Sequence, residues 1–269
     1  MDESFRNAPL LELIAELRWQ PPYPTLPVAQ PGVQIAVPVG LGTLQIDNFL
    51  HQFGGEVYKR GFQRMERVYP SGLPVVQGQT IARYRSDAPG STTIIYQVGA
   101  GLFSANAVAP YRTWKHFRPA VESGVEVLLQ TREQNERTIP FNPVSLRYID
   151  SFKSDLSGGR DVAEFLSEVL KIELKLPEAI SHHLASGKSA KPYMMLAVPT
   201  STGMLRINVG EALVNGETTI LLDITFSAEA PVNPEKTAIM DAFDLAHSII
   251  HRTFMQLTAP IHDLMQLEQ

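Results

Sequence analysis

The sequence predicts an α+β fold of two layers, in which two similar strand–helix–strands–helix halves form a largely antiparallel sheet covered by helices. Three observations predict this class. Apolar and polar residues alternate over residues 11–19 with the period of a half-buried strand. Two later stretches, 114–128 and 243–257, place apolar residues three and four apart, as amphipathic helices do. The opening strand pattern also returns near residue 146, so the order of elements repeats.

The first half is expected to span residues 1–137. Prolines between residues 21 and 40 predict an irregular proline-rich loop there, because proline breaks helices and central strands. A helix is expected from Ile46 to Val57, with Gly54 and Gly55 ending it. Strands are predicted at 64–69, 80–86 and 92–98. The long helix that follows has this apolar stripe: Trp114, Phe117, Val121, Val125 and Leu128.

Residues 138–143 contain two prolines and form the expected connector to a second half, 144–269. Leu-Arg-Tyr at 146–148 matches Leu-Arg-Trp at 17–19, which lies 129 residues earlier. The final helix repeats the earlier apolar stripe at the same offset: Phe243, Ala246, Ile250, Phe254 and Leu257. TTILLDITF from residue 218 matches TTIIYQV from residue 92, an offset of 126. A helix at 161–172 and strands near 193–199 and 204–209 complete this half.

These matches predict an internal duplication whose halves pack as one unit, with helices on one face of the sheet and the other face free. The tandem arrangement of TATA-binding-protein-type folds has this order of elements, an analogy that concerns the fold and implies no function. Chance matching is the competing explanation, since every amphipathic helix repeats threes and fours. If the duplication is real, Trp19 and Tyr148 are expected to have like surroundings.

Composition limits the classes of function. With 269 residues and 44% hydrophobic content, the chain can bury a substantial core. The absence of cysteine excludes disulfides, thiolate metal sites and cysteine nucleophiles, and it fits a reducing cytoplasm. No stretch approaches the roughly 20 apolar residues that cross a bilayer, so no membrane partner is expected. The net charge of -5 disfavours whole-surface attraction to nucleic acid.

The polar side of the opening strand carries Glu12, Glu16 and Arg18, and Arg147 holds the matching place in the second half. A twofold relation between the halves puts both arginines on one surface. Two interpretations stay open. Glu12 and Glu16 are the expected cross-strand partners of the arginines, in ion pairs worth about 0.2–1 kcal/mol each. If that sheet face is concave, the same groups form a charged floor for a ligand.

The densest basic cluster predicts an alternative function, a nucleic-acid or nucleotide-binding protein. Acidic residues dilute this cluster, whose arginines are Arg60, Arg64, Arg67, Arg83 and Arg85. The competing interpretation is a solvated face of mixed charge. Affinity that falls steeply with salt distinguishes a nucleic-acid binder from the other classes.

The motifs of phosphate loops and common hydrolases are incomplete in this sequence. Asp244, His247 and His251 share one face of the final helix, which leaves a metal-dependent enzyme with a dispersed site as a second alternative. A hydrogen-bonded, half-buried histidine is the competing interpretation of His247. No catalytic residue and no cofactor are assigned, and a non-catalytic protein is favoured over an enzyme.

Three stretches resemble a family. NAPLLELIAELRW at 7–19, QVGAGLFSANAVAPYRTWKHF at 97–117 and LRYID at 146–150 are similar to motifs of a sporadically distributed family of uncharacterised bacterial proteins. Where the family pattern has Asn, this chain has Asp150, which is not an amide donor. The resemblance implies membership without a mechanism. The patchy distribution of such families implies a mobile cassette of the defence or toxin–antitoxin type.

Five residues within the second of these stretches have predicted roles of their own. Gly99 and Gly101 predict a bulge or tight turn at the end of a strand, with Asn106 satisfying backbone groups of the loop. Tyr111 and Trp114 are candidates for lining a pocket, because each has a flat apolar body and a polar group. Trp114 also heads an apolar stripe, which favours a place in the core.

We therefore predict a non-catalytic binding protein of the bacterial cytoplasm, an accessory or neutralising component of such a cassette. Its expected partner is another protein, and a homodimer is an alternative because a pseudo-symmetric sheet has edges that need covering. The predicted ligand- or partner-binding residues are Glu12, Glu16, Arg18, Asn106, Tyr111, Trp114, Arg147 and Asp150.

Overall fold

A computed structural model describes residues 4–21, 25–30, 33–38, 42–70, 75–86, 94–108 and 113–268. In chain order the strands are β1 (Ser4–Phe5), β2 (Leu10–Arg18), β3 (Thr25–Gln30), β4 (Val33–Pro38), β5 (Arg64–Arg67), β6 (Thr80–Arg85), β7 (Ile94–Gly99), β8 (Leu102–Val108), β9 (Val144–Phe152), β10 (Met194–Pro199), β11 (Gly203–Val214), β12 (Glu217–Ala228) and β13 (Leu267–Glu268). The α-helices are α1 (Gly42–Lys59), α2 (Trp114–Thr131), α3 (Ser154–Ser157), α4 (Val162–Glu164), α5 (Glu178–Ser181), α6 (Lys236–Leu257) and α7 (His262–Met265).

Nine of these strands form one antiparallel sheet in the order β10-β11-β12-β9-β2-β8-β7-β6-β5, which confirms the α+β class. The first strands of the two expected halves, β2 and β9, are neighbours near its middle. Each also pairs with the last sheet strand of its own half, β8 or β12. The register sets Glu16 opposite Ser145, which lies 129 residues later in the chain.

Alternation along the strands divides the sheet into two faces. Leu13 and Leu17 of β2 are buried on the face where the long helices pack. On that face α6 contacts β9 and β12, α2 contacts β8, and α1 contacts β6, so sheet and helices share one hydrophobic core. The opposite face carries Glu16, Arg147 and Arg206, and we call it the polar face.

The predicted apolar stripes of the two longest expected helices are confirmed. All five stripe residues of α2 are buried. In α6, Phe243, Ala246 and Ile250 are buried, while Phe254 and Leu257 are partly buried against the core. No helix within the described ranges is long and apolar enough to span a membrane.

The helix expected at 46–57 exists, but Gly54 and Gly55 do not end it, since α1 continues to Lys59. The packing of Gly54 gives a physical reason for a glycine there. A Cβ atom on Gly54 would lie 3.0 Å from Cε1 of Tyr84 on β6. The Tyr84 hydroxyl donates to the Leu50 carbonyl at 2.7 Å, so helix and strand meet closely at this point.

At three further places the structure differs from the expectation. Residues 25–30 and 33–38, inside the expected irregular loop, pair as the ribbon β3–β4. An isolated ribbon tolerates proline because both of its strands are edges. The helix expected at 161–172 is the short α4 followed by a π-helical turn at Phe165–Val169. Strand β8 was not expected at all; it follows β7 after a tight turn at Gly101, where φ is +69°.

The third sequence match does not mark equivalent strands. The described part of TTIIYQV forms β7, which β8 separates from β2. TTILLDITF lies in β12, directly beside β9. The two stretches look alike because both are largely buried strands of the same sheet, and their places in the sheet differ.

Candidate functional site

Polar side chains from four neighbouring strands come together on the polar face. Because opposite residues of paired strands share a face, the register defines cross-strand rows. Two adjacent rows are Ile14–Arg147–Thr225–Arg206 and Glu16–Ser145–Ser227. They run across β2, β9, β12 and β11 at the middle of the sheet.

These rows line a cavity of about 380 Å³, which we call the central groove. Its lining residues are Ile14, Glu16, Arg18, Ser145, Arg147, Arg206, Asn208, Asp223, Thr225 and Ser227. A second cavity of about 300 Å³ adjoins it and shares Arg206 and Ser227. The groove therefore combines three guanidinium groups with two carboxylates.

Two of the three arginines are ion-paired. Arg147 donates to Asp223 twice, from Nε to Oδ1 and from Nη2 to Oδ2, each at 2.8 Å. These hydrogen bonds raise the pKa of Arg147 above its usual value. Arg18 binds Glu16 of its own strand, with Nε 2.6 Å from Oε1. The expectation that glutamates 12 and 16 pair with both arginines is thus wrong for Arg147.

The third arginine has no side-chain partner in the described part of the chain. Arg206 is exposed and makes no hydrogen bond or ion pair with any described residue. Beside it, Asn208 donates from Nδ2 to Oδ2 of Asp223 at 3.1 Å, while its buried Oδ1 has no hydrogen-bond partner. The groove therefore offers a ligand one exposed cation that no described residue neutralises.

The polar face continues across the first half as a hydrogen-bonded chain. Asn106 donates to Glu12 Oε1 at 2.8 Å and accepts from Gln97 at 3.1 Å and from Ser104 at 2.8 Å. Gln97 in turn accepts from Arg83 at 3.0 Å. Asn106 lies on strand β8, so the expectation that it satisfies loop backbone groups is wrong. Both polar atoms of its buried amide are hydrogen-bonded, which makes Asn106 a support for the face.

The remaining predicted site residues lie elsewhere. Trp114 is buried in the helix layer, and its indole N–H donates to Asp244 at 2.8 Å. Asp150 is 3% exposed and lies two residues after Tyr148 in the strand, so both point to the helix side of the sheet, opposite the central groove. Tyr111 lies outside the described residues. The structure therefore brings together Glu16, Arg18 and Arg147 from the predicted set, with Glu12 and Asn106 alongside on the same face.

The histidine face of α6 is occupied by other interactions. Nδ1 of His247 is 2.8 Å from the Tyr148 hydroxyl, and its ring stacks on Trp114 at 5.6 Å. Asp244 binds Arg118 with both oxygens. Burial alone would raise the pKa of Asp244, but hydrogen bonds from Arg118 and Trp114 outweigh that effect and lower it. Among the described residues, no three His, Cys, Asp or Glu side chains are placed to hold a metal ion.

The predicted basic cluster is divided between the two faces. Arg60 binds Ser123 and Glu126 of α2, and Arg67 binds Asp47 of α1, so both serve the helix layer. The others, Arg64, Arg83 and Arg85, occupy cross-strand rows of the polar face. The cluster predicted from the sequence is therefore not one basic surface.

Sequence reasoning missed Arg206, Asn208 and Asp223. Each is a single polar residue in an otherwise ordinary alternating strand, so no local motif marks it. The pairing of β9 with β12, and of β12 with β11, is what brings these residues beside Arg147. No protein-family model, no curated protein and no solved structure matches this chain.

Proposed function

We propose that this is a non-catalytic binding protein that holds an anionic ligand in the central groove. The observation that carries the proposal is Arg206, an exposed guanidinium that no described residue pairs with, in a cavity whose other arginines are paired. Guanidinium groups bind carboxylate and phosphate through parallel charge-assisted hydrogen bonds.

The charge and size of the groove favour a small anionic ligand. Glu16 and Asp223 offset two of the three arginines, which leaves one uncompensated positive charge. The cavity of about 380 Å³ falls within the range of roughly 300–1,000 Å³ that is typical of small-molecule sites.

Calorimetric titration with citrate and with orthophosphate tests this proposal. We expect Arg206→Gln to weaken anion binding by about tenfold, because the substitution removes the free charge without changing a structural contact. Arg18→Ala is expected to weaken anion binding while the melting temperature stays nearly unchanged. Its ion pair with Glu16 is partly exposed and therefore contributes little to stability.

Arg252→Gln is the matched control, because Arg252 is also an exposed arginine but lies on α6, away from the polar face. It should bind both anions as the wild type does. If Arg206→Gln and Arg252→Gln bind equally well, or if neither anion binds the wild type, the proposed site is wrong.

A nucleic-acid binder is the second candidate, favoured by one observation. A single cross-strand row of the polar face contains four arginines, Arg206, Arg147, Arg85 and Arg64. Arg85 is nevertheless paired with Glu66 and Arg147 with Asp223. Titration of a single-stranded oligonucleotide between low and high salt tests this candidate, which requires an affinity that falls steeply with salt.

The proposal also includes membership of the bacterial family, a protein partner, and a role in a mobile cassette of the defence or toxin–antitoxin type. The family-like stretches at 7–19, 97–117 and 146–150 contribute β2, β8 and β9, three consecutive strands of the sheet. This clustering supports a common role for the three stretches at the middle of the sheet. Co-purification with the product of an adjacent gene tests the protein partner.

An internal duplication also stays a proposal. The central pairing of β2 with β9, and Glu16 opposite Ser145 at the offset of 129, support it. The surroundings of the two aromatic residues that follow the arginines count against it. Trp19 donates to Glu136 at 2.6 Å, beyond the end of α2, whereas Tyr148 contacts His247 in the middle of α6.

A further inference from the structure

The edge strand β10 is an exposed apolar edge of the nine-stranded sheet. It pairs with β11 on one side and with no described strand on the other. Its sequence, MMLAVP, carries no charge. Met195 is 71% exposed on the polar face, and Leu196 is 42% exposed on the opposite face. Uncovered edges of this kind readily add another strand.

The hydrogen-bond pattern shows which backbone groups of β10 are free. Thr200 N–H donates to the Gly203 carbonyl at 2.8 Å, so these residues form a hydrogen-bonded pair. In an antiparallel ladder such pairs alternate with non-hydrogen-bonded ones. Val198 and Leu196 therefore direct their backbone groups to β11, and Met195 and Ala197 direct theirs to the free edge. Pro199, which has no N–H, also falls at an outward position.

The other edge of the sheet is protected. β5 is only four residues long and reads RMER, so three of its four side chains are charged. Short length and charge are the features by which natural sheets prevent strand addition. The two edges thus differ in the property that decides whether a further strand can pair.

We propose that a second copy of this chain pairs through β10, antiparallel to the first, with Leu196 on the twofold axis. Antiparallel self-pairing sets Met195 of each copy opposite Ala197 of the other, so the free N–H and C=O groups of both residues are satisfied symmetrically. An uncharged edge meets its own copy without repulsion. A strand from a different protein could form the same backbone hydrogen bonds. The symmetric register and the lack of charge on β10 favour a second copy of this chain as the partner.

The dimer would also extend the central groove. Arg206 lies on β11, so its two copies are separated by three strand spacings across the junction, about 14 Å, and by two residues along the strands, about 7 Å. Both unpaired guanidinium groups then face the same side of one continuous sheet. The dimer is nevertheless independent of the proposed ligand, because no groove residue other than those of β11 adjoins the junction.

Light scattering coupled to size-exclusion chromatography tests this proposal on the full chain. We expect the wild type to have twice the chain mass of 29.8 kDa at concentrations of about 1–100 µM. Leu196→Lys places two like charges at the axis and should halve the mass. Leu245→Lys is the control, because Leu245 on α6 is 43% exposed, almost as Leu196 is, and the variant should stay dimeric.

A cysteine variant gives an independent measurement. The chain has no cysteine, so Leu196→Cys introduces a single thiol that faces its own copy at the axis. Oxidation should convert this variant, and not Leu245→Cys, into a disulfide-linked dimer. A wild type that is monomeric over the whole concentration range overturns the proposal, as does a dimer that survives Leu196→Lys.

Discussion

Asp223 holds Arg147 in the central groove through two parallel hydrogen bonds of 2.8 Å that link β12 to β9. The side chain of Asp223 is 14% exposed and that of Arg147 is 44% exposed, so the carboxylate is the more buried partner. Asp223 also accepts from Asn208 of β11. One carboxylate therefore fixes polar groups of three strands and reduces the positive charge that the groove presents to a ligand.

Asp223→Asn is expected to change stability and ligand binding in opposite directions. The substitution leaves Arg147 without its counter-charge, which should lower the free energy of unfolding by about 1–2 kcal/mol, since the pair is partly screened by solvent. The released guanidinium should bind citrate about fivefold more tightly. Urea unfolding and calorimetry measure the two effects, and weaker citrate binding by the variant would contradict the assigned role of Asp223.

Arg132 is buried at the junction between α2 and the second half. It is 1% exposed, and its guanidinium carbon lies 4.9 Å from the ring centre of Trp19 and 4.5 Å from that of Phe141. Burial lowers the pKa of Arg132 to about 10, against the opposing effect of Glu136. Glu136 is itself buried and accepts from the Trp19 indole at 2.6 Å. Arg132 is therefore a buried cation that donates to the Ile139 carbonyl and is partly compensated by the nearby charge of Glu136.

Removing the charge of Glu136 should lower the free energy of unfolding more than removing the charge of Arg132. Glu136→Gln can keep the bond from Trp19 but leaves Arg132 as an uncompensated buried charge, so we expect a loss of about 3 kcal/mol. Arg132→Met replaces the charge with an apolar chain of similar length and should cost less than about 2 kcal/mol. Urea unfolding of both variants measures this order. The reverse order would show that Arg132 is stabilising in its own right.

Asp150 is a buried carboxyl group under α6. It lies between two contacts of that helix, Tyr148 with His247 and Phe152 with Phe254. Its Oδ2 has no hydrogen-bond partner. Burial, with a smaller effect from the charge of Asp223, raises its pKa to about 8.

The free energy of unfolding should therefore fall as the pH rises from about 4 to about 8. The unfolded chain releases the proton of Asp150 near its ordinary pKa of 3.8, whereas the folded protein retains it up to about pH 8. Over this interval stability falls by up to about 1.4 kcal/mol per pH unit, and above it the loss is complete.

Asp150→Asn removes this titration and isolates it from that of other groups. We expect the difference in stability between variant and wild type to grow in favour of the variant by about 1 kcal/mol per pH unit between pH 5 and 8. Urea unfolding at several pH values measures it. Parallel pH profiles for the two proteins would mean that Asp150 is ionised, and therefore solvated, in the folded state.

The sequence predicted those parts of the fold that depend on a local period. Alternation over 11–19 placed Glu16 and Arg18 on the polar side of β2, and the three-and-four spacing identified the buried faces of α2 and α6. The same alternation placed Arg147 correctly on the polar face of β9. The spacing of apolar residues determines which face of a strand or helix a side chain occupies, and for these residues the face was all that had to be predicted.

The rest of the site depends on strand pairing, which a local pattern does not determine. Asp223 becomes the partner of Arg147 only because β12 pairs with β9 in one register. Asp150 was assigned to the site from its motif. It lies two residues after Tyr148, however, and so shares the helix side of the sheet with that residue. Strand β8 was missed because six of its seven residues are buried, which removes the alternation that marks a half-buried strand.

Two helical glycines give a last test of how closely the helices approach the sheet. A Cβ atom on Gly124 of α2 would lie 2.6 Å from Cζ of Phe103 and 2.8 Å from Cε1 of Tyr96, whereas one on Gly55 of α1 would meet nothing within 4 Å.

Alanine is the better helix former by about 1 kcal/mol, so Gly55→Ala should stabilise the protein by about 0.5–1 kcal/mol. Gly124→Ala has the same intrinsic gain but must push two buried rings apart, so we expect a net loss of about 1–3 kcal/mol. Thermal and urea unfolding of the two variants separate propensity from packing, since only packing differs between them. Equal stabilisation by both substitutions would mean that α2 does not pack against β7 and β8 at this distance.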